Sequence, residues 1–524
     1  MNAPASCPIL TCEEARALEA RQLGGDEAKE WAAMQRAGQA IAAAVQSDFE
    51  EIGGLPMQAR LLVLVGKGHN GGDALIAAEA ILRQYPAARA EIVFAFGERA
   101  LRPLTARAWR SLEQAAGGRV AAIHDPARGG TPAGSGYDLC LDGVFGFQFR
   151  PPADARVTAL IEAVNAWPIR LRAAVDLPSA GAFRADFTYA TGSVKAPVVD
   201  APGAGRVRYL DLGFFAGDEP GEERVLTRDM LAPLARLRSS DSDKRSYGHV
   251  LVVGGSRDFP GAILMSVLAA LRSGAGLVTA FVPASLAPAF AARAPEAMWV
   301  GWPETPAGGL ALEGEHLLRA RFERGNAIVL GPGLGREAET LALAAGIARS
   351  SPLPLVIDAD ALQPNIVTAG SAARIVTPHA GEFARIRGAL EHAGDVTLVL
   401  KGPVTRVYRS AGNLPALDGP ERGQFARATA QGPTIYHSFF GGPVLARGGS
   451  GDVLAGLIGG QLAQLVAGRA PAAIGDTAAA ALLAAARGVV WHGLAAERLA
   501  RAHGQTAVSV TQLLDFLAPA LREH

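Results

Sequence analysis

The string Gly448-Gly449-Ser450-Gly451-Asp452 puts four small residues and one carboxylate directly ahead of a helix-compatible run, Val453–Ala463. Glycines there allow several backbone N–H groups to converge, and a helix N-terminus adds partial positive charge, so the string can cradle a phosphate. Asp452 would sit in the first helical turn, facing the same place. A general base for a hydroxyl attacking a phosphoryl group needs that position. Taken alone, the string reads about equally well as a glycine turn with an aspartate cap.

Further strings point the same way. Gly254-Gly255-Ser256 leads into Phe259-Pro260-Gly261-Ala262, and Gly331-Pro332-Gly333-Leu334-Gly335 comes later. Asp358-Ala359-Asp360, Thr377-Pro378-His379 and Lys401-Gly402-Pro403-Val404-Thr405 complete the set. Each follows a strand-like apolar run. Ligands of open α/β sheets gather at the C-terminal ends of the strands, and a whole series of ordinary turns there is the poorer account.

The first half carries its own candidates. The run Leu61–Val65 enters Gly66-Lys67-Gly68-His69-Asn70-Gly71-Gly72-Asp73, and Glu98 follows the next strand. The glycine spacing fits a dinucleotide-binding oxidoreductase, but Asn70 and Asp73 are surplus to that fingerprint. Asp142 and Asp176 each end a strand-like run. Carboxylates at strand ends are costly to desolvate unless they face a polar crevice, although capping is the bland alternative for each.

These positions need two scaffolds. Strand-like runs at Leu61–Val65, Glu91–Phe96, Asp138–Asp142, Ala173–Asp176 and Phe187–Ala190 alternate with helical patterns after a helical opening. A second series runs through His249–Val253, Gly276–Val282, Ala327–Leu330, Leu355–Asp358, Arg374–Thr377, Val396–Leu400 and Thr405–Tyr408. Such alternation predicts α/β folds with mostly parallel sheets covered on both faces. The polar segment Arg236–Tyr247 marks the boundary, giving domains at 1–225 and 236–524. Gly412–Gly441, with little periodicity, is expected to be a long loop, either functional or disordered.

Composition narrows the class. A chain of 524 residues exceeds one ordinary core, and its 50 basic residues balance its 50 acidic ones. No basic run suggests nucleic acid or a membrane surface as partner. Cys7, Cys12 and Cys140 are too few and too scattered for a zinc site or a disulfide framework. The apolar stretch Ala478–Leu494 includes Arg487 and His492 and reads as a core helix, not a membrane span. No secretory signal is visible, so a cytoplasmic protein is expected.

From about Asp243 onward, the order of the motifs resembles the ADP- or ATP-dependent NAD(P)H-hydrate dehydratases of the ribokinase-like superfamily. The resemblance implies that Asp452 is the catalytic carboxylate. It implies that Gly451, Lys401, Gly402, Pro403, Val404 and Thr405 contact the nucleotide, and that Ala262, Gly333, His379 and Asp452 bind the hydrate. Mg²⁺ would accompany ADP or ATP. One departure is Gly442-Pro443, where the family usually has Asn before Pro.

Residues 10 to 215 resemble NAD(P)H-hydrate epimerase, with a Rossmann-like three-layer fold. That resemblance implies K⁺ held by Asn70, Asp142 and Ser179. It implies hydrate contacts at Asn70, Gly71, Gly72, Asp73, Ala74, Gly146 and Asp176, with proton transfer at Asp142 and Lys195 nearby. Here His69 replaces a usual Asn, Ala74 a usual Gly, and Ala180 follows Ser179 where the family has Gly. Together the halves imply a homo-oligomeric enzyme acting on NADHX and NADPHX. The alternatives are a ribokinase-like small-molecule kinase and a non-catalytic N-terminal nucleotide-binding module.

Overall fold

The computed structural model describes residues 3–123, 136–150, 152–216, 219, 221–410, 434–467 and 474–522. Internal contacts divide the chain into two units. The N-terminal unit comprises Cys7–Gly221 with Ala500–Gln505; the C-terminal unit comprises Met1–Ser6, Glu222–Leu499 and Thr506–His524. The division at Gly221 precedes the polar segment Arg236–Tyr247, and strand Glu223–Leu226 belongs with the later residues.

In the N-terminal unit the strands are β1 (Arg60–Val65), β2 (Arg89–Phe94), β3 (Val120–Ile123) and β4 (Tyr137–Gly143), then β5 (Ile169–Val175), β6 (Phe187–Thr191) and β7 (Arg206–Leu210). They form a parallel sheet in the order β3-β2-β1-β4-β5-β6-β7. β1 shows why the sheet has two covered faces. Leu61, Val63 and Val65 enter one apolar cluster, and Leu62 and Leu64 enter another. The period of two along a strand sends alternate residues to opposite sides. Helices α1 (Cys12–Leu23), α2 (Glu27–Phe49), α3 (His69–Gln84), α4 (Pro103–Ala116) and α5 (Ala155–Ala166) follow in chain order. Of these, α2, α3 and α4 supply the first cluster and α5 the second. The strand order reverses between β1 and β4, which opens a crevice at their C-terminal ends.

The C-terminal unit repeats the logic with β8 (Glu223–Leu226), β9 (His249–Val253), β10 (Leu277–Pro283), β11 (Met298–Trp302) and β12 (Ala327–Leu330). β13 (Leu355–Ile357), β14 (Arg374–Val376), β15 (Val396–Leu400), β16 (Thr405–Ser410) and β17 (Ile435–Ser438) follow. The order is β11-β10-β9-β12-β13-β14-β15-β16-β17-β8. Only β16 runs antiparallel to its neighbours. The reversal falls between β9 and β12. The helices that matter for function are α6 (Pro260–Arg272), α7 (Ala380–Leu390) and α8 (Ser450–Val466).

Two expectations change. The segment Gly412–Gly441 is not a loop throughout, because Ile435–Ser438 forms β17; residues 412–433 lie outside the described residues. Its parallel partner is β8, more than two hundred positions earlier in the chain, so no local pattern could announce the pairing. β3, β7, β8 and β11 were also absent from the strand-like runs. β3 is Val-Ala-Ala-Ile with both alanines exposed, and β11 buries only Trp302, so neither carries a strong apolar signature. The apolar helix Thr477–His503 is 78% buried over its most apolar window, as a core helix should be. The three cysteines are free thiols.

Candidate active sites

In the C-terminal unit the six strings converge through direct contacts. Gly255 donates its N–H to Pro332 O at 2.8 Å, and Ser256 Oγ donates to Gly333 O at 2.9 Å. Gly333 holds φ at +63°, and a Cβ there would come within 3.0 Å of Ala262 Cβ. The expected pocket residues Ala262 and Gly333 therefore touch across the switch point. Gly335 donates to Asp360 Oδ2 at 3.2 Å, which ties the next string on. Ala359, between two aspartates, sits at φ +51°, a strained value for a residue with a Cβ.

Asp358 joins the remaining strings. Its Oδ1 accepts Thr377 Oγ1 at 2.6 Å and Lys401 Nζ at 3.0 Å, with the carboxylate almost wholly buried. Lys401 in turn faces the helix start: a Cβ on Gly451 would lie 3.2 Å from Lys401 Nζ and 3.8 Å from Asp358 Oδ2. Burial would lower the Lys401 pKa, but Asp358, Glu382 and Asp452 outweigh it and the net shift is upward. The ammonium is held in its charged form.

Helix α8 begins at Ser450 behind Gly449, whose φ is +96°, and no side chain caps it. This uncapped first turn carries Asp452 and lies against the Lys401 ammonium at Gly451, an arrangement that suits an anion. Ser266 Oγ anchors the turn by donating to Asp452 O at 2.7 Å. Burial first, and then the Asp358 charge, push the Asp452 carboxyl up to about 7. A carboxyl of that pKa exchanges protons readily at neutral pH.

His379 is exposed at the end of β14 and caps α7. Its Nδ1 accepts from Gly381 N at 3.0 Å, so the ring carries its proton on Nε2. Gly402, Pro403 and Val404 form the turn between β15 and β16, and Thr405 opens β16. Asp358 is the residue that sequence reasoning passed over. It stood inside a quoted string, but only the fold reveals that it holds Lys401.

In the N-terminal unit, β1 runs through Gly66-Lys67-Gly68 into α3, and a cavity of about 360 Å³ opens at the β1/β4 switch point. Asn70, Gly71, Asp73, Gly146 and Asp176 line it together with Glu19, Glu30, Lys67, His69 and Arg102. Phe96, Phe145, Phe147, Phe149 and Phe214 supply an aromatic wall, with Phe145 and Phe149 4.1 Å apart. Such a wall suits a planar ring. Gly72 and Ala74 are not among the lining residues. A Cβ on Gly72 would overlap Met34 Cε, and Ala74 is fully buried. Glu98 Oε1 accepts the Trp109 indole N–H at 3.1 Å, so it serves packing, not a ribose.

Asp176 adopts φ +63° and is almost fully buried. Its Oδ1 accepts Thr191 N at 2.9 Å, Thr191 Oγ1 at 2.7 Å and Lys195 Nζ at 3.1 Å. Lys195 is completely buried and also donates to Thr191 O at 2.9 Å. Asp142 is sealed beneath the cavity. Oδ1 accepts Ser179 Oγ at 2.6 Å and Val144 N at 3.3 Å, and Oδ2 accepts Ser179 N at 2.8 Å. Burial raises its carboxyl to about 6 against those hydrogen bonds, all of them from neutral donors. Asn70 lines the cavity: its Nδ2 donates to Val175 O at 3.0 Å, and a Cβ on Gly146 would overlap its Oδ1.

A family model described as NAD(P)H-hydrate dehydratase matches residues 250–519, and one described as YjeF-related protein N-terminus matches residues 31–201. The bifunctional NAD(P)H-hydrate repair enzyme Nnr of Gloeobacter violaceus is 34% identical over 99% of this chain and 99% of its own. The Nnr of Moorella thermoacetica is 31% identical over 93% of this chain and 92% of its own. A solved ADP/ATP-dependent NAD(P)H-hydrate dehydratase from Bacillus subtilis, co-crystallized with ATP and Mg²⁺, is 23% identical with TM-score 0.41. It covers 56% of this chain and 96% of its own. With both domain types in order and near full-length likeness to Nnr proteins, this chain belongs to the family of bifunctional NAD(P)H-hydrate repair enzymes.

Proposed function

We propose that the C-terminal unit removes water from one hydrate epimer at the expense of a nucleotide, with Asp452 as the base. The observation that carries this reading is the uncapped first turn of α8, which contains Asp452 and lies against Lys401 Nζ at Gly451. Asp452 takes the proton of the hydrate's hydroxyl as that oxygen attacks the terminal phosphorus of ADP or ATP, whose bond to the bridging oxygen breaks to release AMP or ADP. Phosphate is a better leaving group than hydroxide, and the ring nitrogen lone pair expels it. Loss of a proton from the neighbouring carbon restores the dihydronicotinamide.

Lys401, fixed by Asp358, balances phosphate charge beside Gly451, and the turn Gly402–Thr405 borders the nucleotide. Ala262, Gly333 and His379 border the hydrate. Mg²⁺ would be held by the nucleotide's phosphates beside the Asp358 carboxylate and would supply neutralisation of their negative charge.

The N-terminal unit interconverts the two epimers of NADHX and NADPHX within the aromatic-walled cavity. Asn70, Asp142 and Ser179 hold K⁺ beneath it. The fit rests on Asp142, a sealed carboxylate with only neutral donors, whose charge a monovalent cation would balance. Among the described residues no group of three or more His, Cys, Asp or Glu is placed to hold a metal ion. K⁺ would supply a positive charge beside the Asp142 carboxylate. Mixed epimers incubated with ADP or ATP test both halves. Complete conversion to NADH, faster than spontaneous inversion allows, is expected. Conversion of half the mixture, or none, overturns the epimerase or the dehydratase reading respectively.

A further inference from the structure

Four acidic side chains, Glu19, Glu30, Asp73 and Asp176, line the N-terminal cavity, and the scheme so far gives none of them the proton. Glu19 lies on α1, where Glu13 and Glu14 are exposed while Ala15 and Leu18 enter the core. Helical spacing places Glu19 beside that buried face, half-buried and lining the cavity.

The other acids of the cavity differ from it, and Glu30 lies 3.8 Å from His69 Nε2. Asp176 has one oxygen saturated by three donors and paired with Lys195. Asp73 is 6% exposed, and its Oδ1 has no hydrogen-bond partner among the described residues. An orphaned, buried carboxyl oxygen in a cavity wall marks a place where a polar ligand atom is expected. Asp142, expected to transfer the proton, is sealed away by Ser179 and Val144 and does not line the cavity, and Lys195 is wholly buried against Asp176 and Thr191.

We propose that Glu19 is the proton-carrying group of the epimerase site, giving its proton to the hydrate's hydroxyl and recovering one when water returns to the opposite ring face. This rests on the reading that the N-terminal unit epimerises. The carboxyl proton passes to the hydroxyl oxygen, and the C–O bond breaks with its electron pair leaving on water. The ring nitrogen lone pair forms a C=N bond. Water then adds to that carbon from the other face, the C=N pair returns to nitrogen, and the surplus proton goes back to Glu19. Only the configuration has changed.

The transient cation is faced by the Glu19 carboxylate just formed and by Asp176. Burial, first, raises Glu19 to about 7; Lys195 opposes this, while Asp176 and Glu30 add to it, and Glu19 raises Asp73 in turn. A group poised there can both give and take a proton.

The test uses the full-length chain carrying Glu19→Gln or Glu19→Asp, supplied with the epimer its dehydratase rejects. Turnover of the accepted epimer reports that the C-terminal unit is intact, and near-UV circular dichroism reports the N-terminal unit. Glu19→Gln is expected to lower the epimerisation kcat by about 10²–10⁴-fold with little change in KM, and Glu19→Asp to recover part of it. Wild-type kcat/KM should fall as pH rises through about 7, and Glu19→Gln should lack that limb.

Wild-type kcat and an unchanged limb in Glu19→Gln, or a change in KM alone, overturn the proposal while leaving the epimerase reading intact. Should Glu19→Gln lose the wild-type near-UV signal, Glu19→Asp decides: a displaced limb supports the proposal and an unmoved one overturns it. A wild-type chain no faster than buffer overturns both.

Discussion

Both units read a glycine-rich string at the start of a helix, yet the two strings do different work. At α8 the glycines leave the helix N-terminus open, with Lys401 and Asp452 as its neighbours. At α3 they are packing residues. A Cβ on Gly66 would overlap Val144 O, one on Gly71 would lie 2.5 Å from Gly66 O, and one on Gly72 would overlap Met34 Cε. Neither helix start has a side-chain cap, so the same residue type leaves backbone donors uncapped in both places and at α3 also admits close backbone approach. The acids differ in the opposite sense. Asp452 is partly open and raised to about 7, whereas Asp142 is sealed by Ser179.

The largest effect expected from this contrast belongs to Asp452. Asp452→Asn keeps the shape and the N–H cradle, so dehydration should fall by about 10²–10⁴-fold while nucleotide binding by titration calorimetry stays near wild type. Near-normal turnover would remove Asp452 from the chemistry. The wild-type profile carries the sign: a base with pKa about 7 is protonated in acid, so kcat/KM should rise with pH through about 7. A flat profile from pH 5 to 9 would contradict the assignment.

The glycines themselves allow a paired test. Gly66→Ala forces a methyl onto a backbone carbonyl and should destabilise the N-terminal unit by roughly 1–3 kcal/mol or more, seen as a lower first transition in a thermal melt. In Gly451→Ala the new Cβ stands 3.2 Å from Lys401 Nζ, the end of a flexible side chain. It should leave the melt nearly unchanged and raise KM for the nucleotide. If both variants lose stability and neither changes KM, the contrast between the strings fails.

Much of this was legible in the sequence. Each C-terminal string lies at a strand end because parallel strands announce themselves as short buried apolar runs, and β9, β12 and β15 match the expected runs residue for residue. What escaped notice depends on contacts distant in sequence. Asp358 matters through Lys401, 43 positions later. Glu19 looks like one more acid on a polar helix until the fold turns it toward Asp73 and Asp176. β17 needed β8 as its partner, and β3 was hidden by its alanines.

The smallest effect concerns the loop that departs from the family pattern. Ala180 stands where the family has glycine, and it is held at φ +56° between the Ser179 that binds Asp142 and the positive-φ Gly181. An L-residue with a Cβ pays roughly 1–2 kcal/mol for that conformation. The cost is sustained because Ser179 N and Oγ both bond the Asp142 carboxylate and Phe145 N bonds Ser179 Oγ at 2.9 Å, which fixes the turn on either side. Ala180→Gly removes the steric strain but adds backbone freedom to the unfolded chain, which offsets part of the gain. The net expectation is stabilisation of the N-terminal unit by about 0.5–1 kcal/mol, read as a rise of a few degrees in its melting transition, with epimerase kcat unchanged. A lower melting temperature would mean that Ala180 is held by packing and not merely tolerated. A changed kcat would mean that the strained turn shapes the site above Asp142, making the two units less different than their glycines suggest.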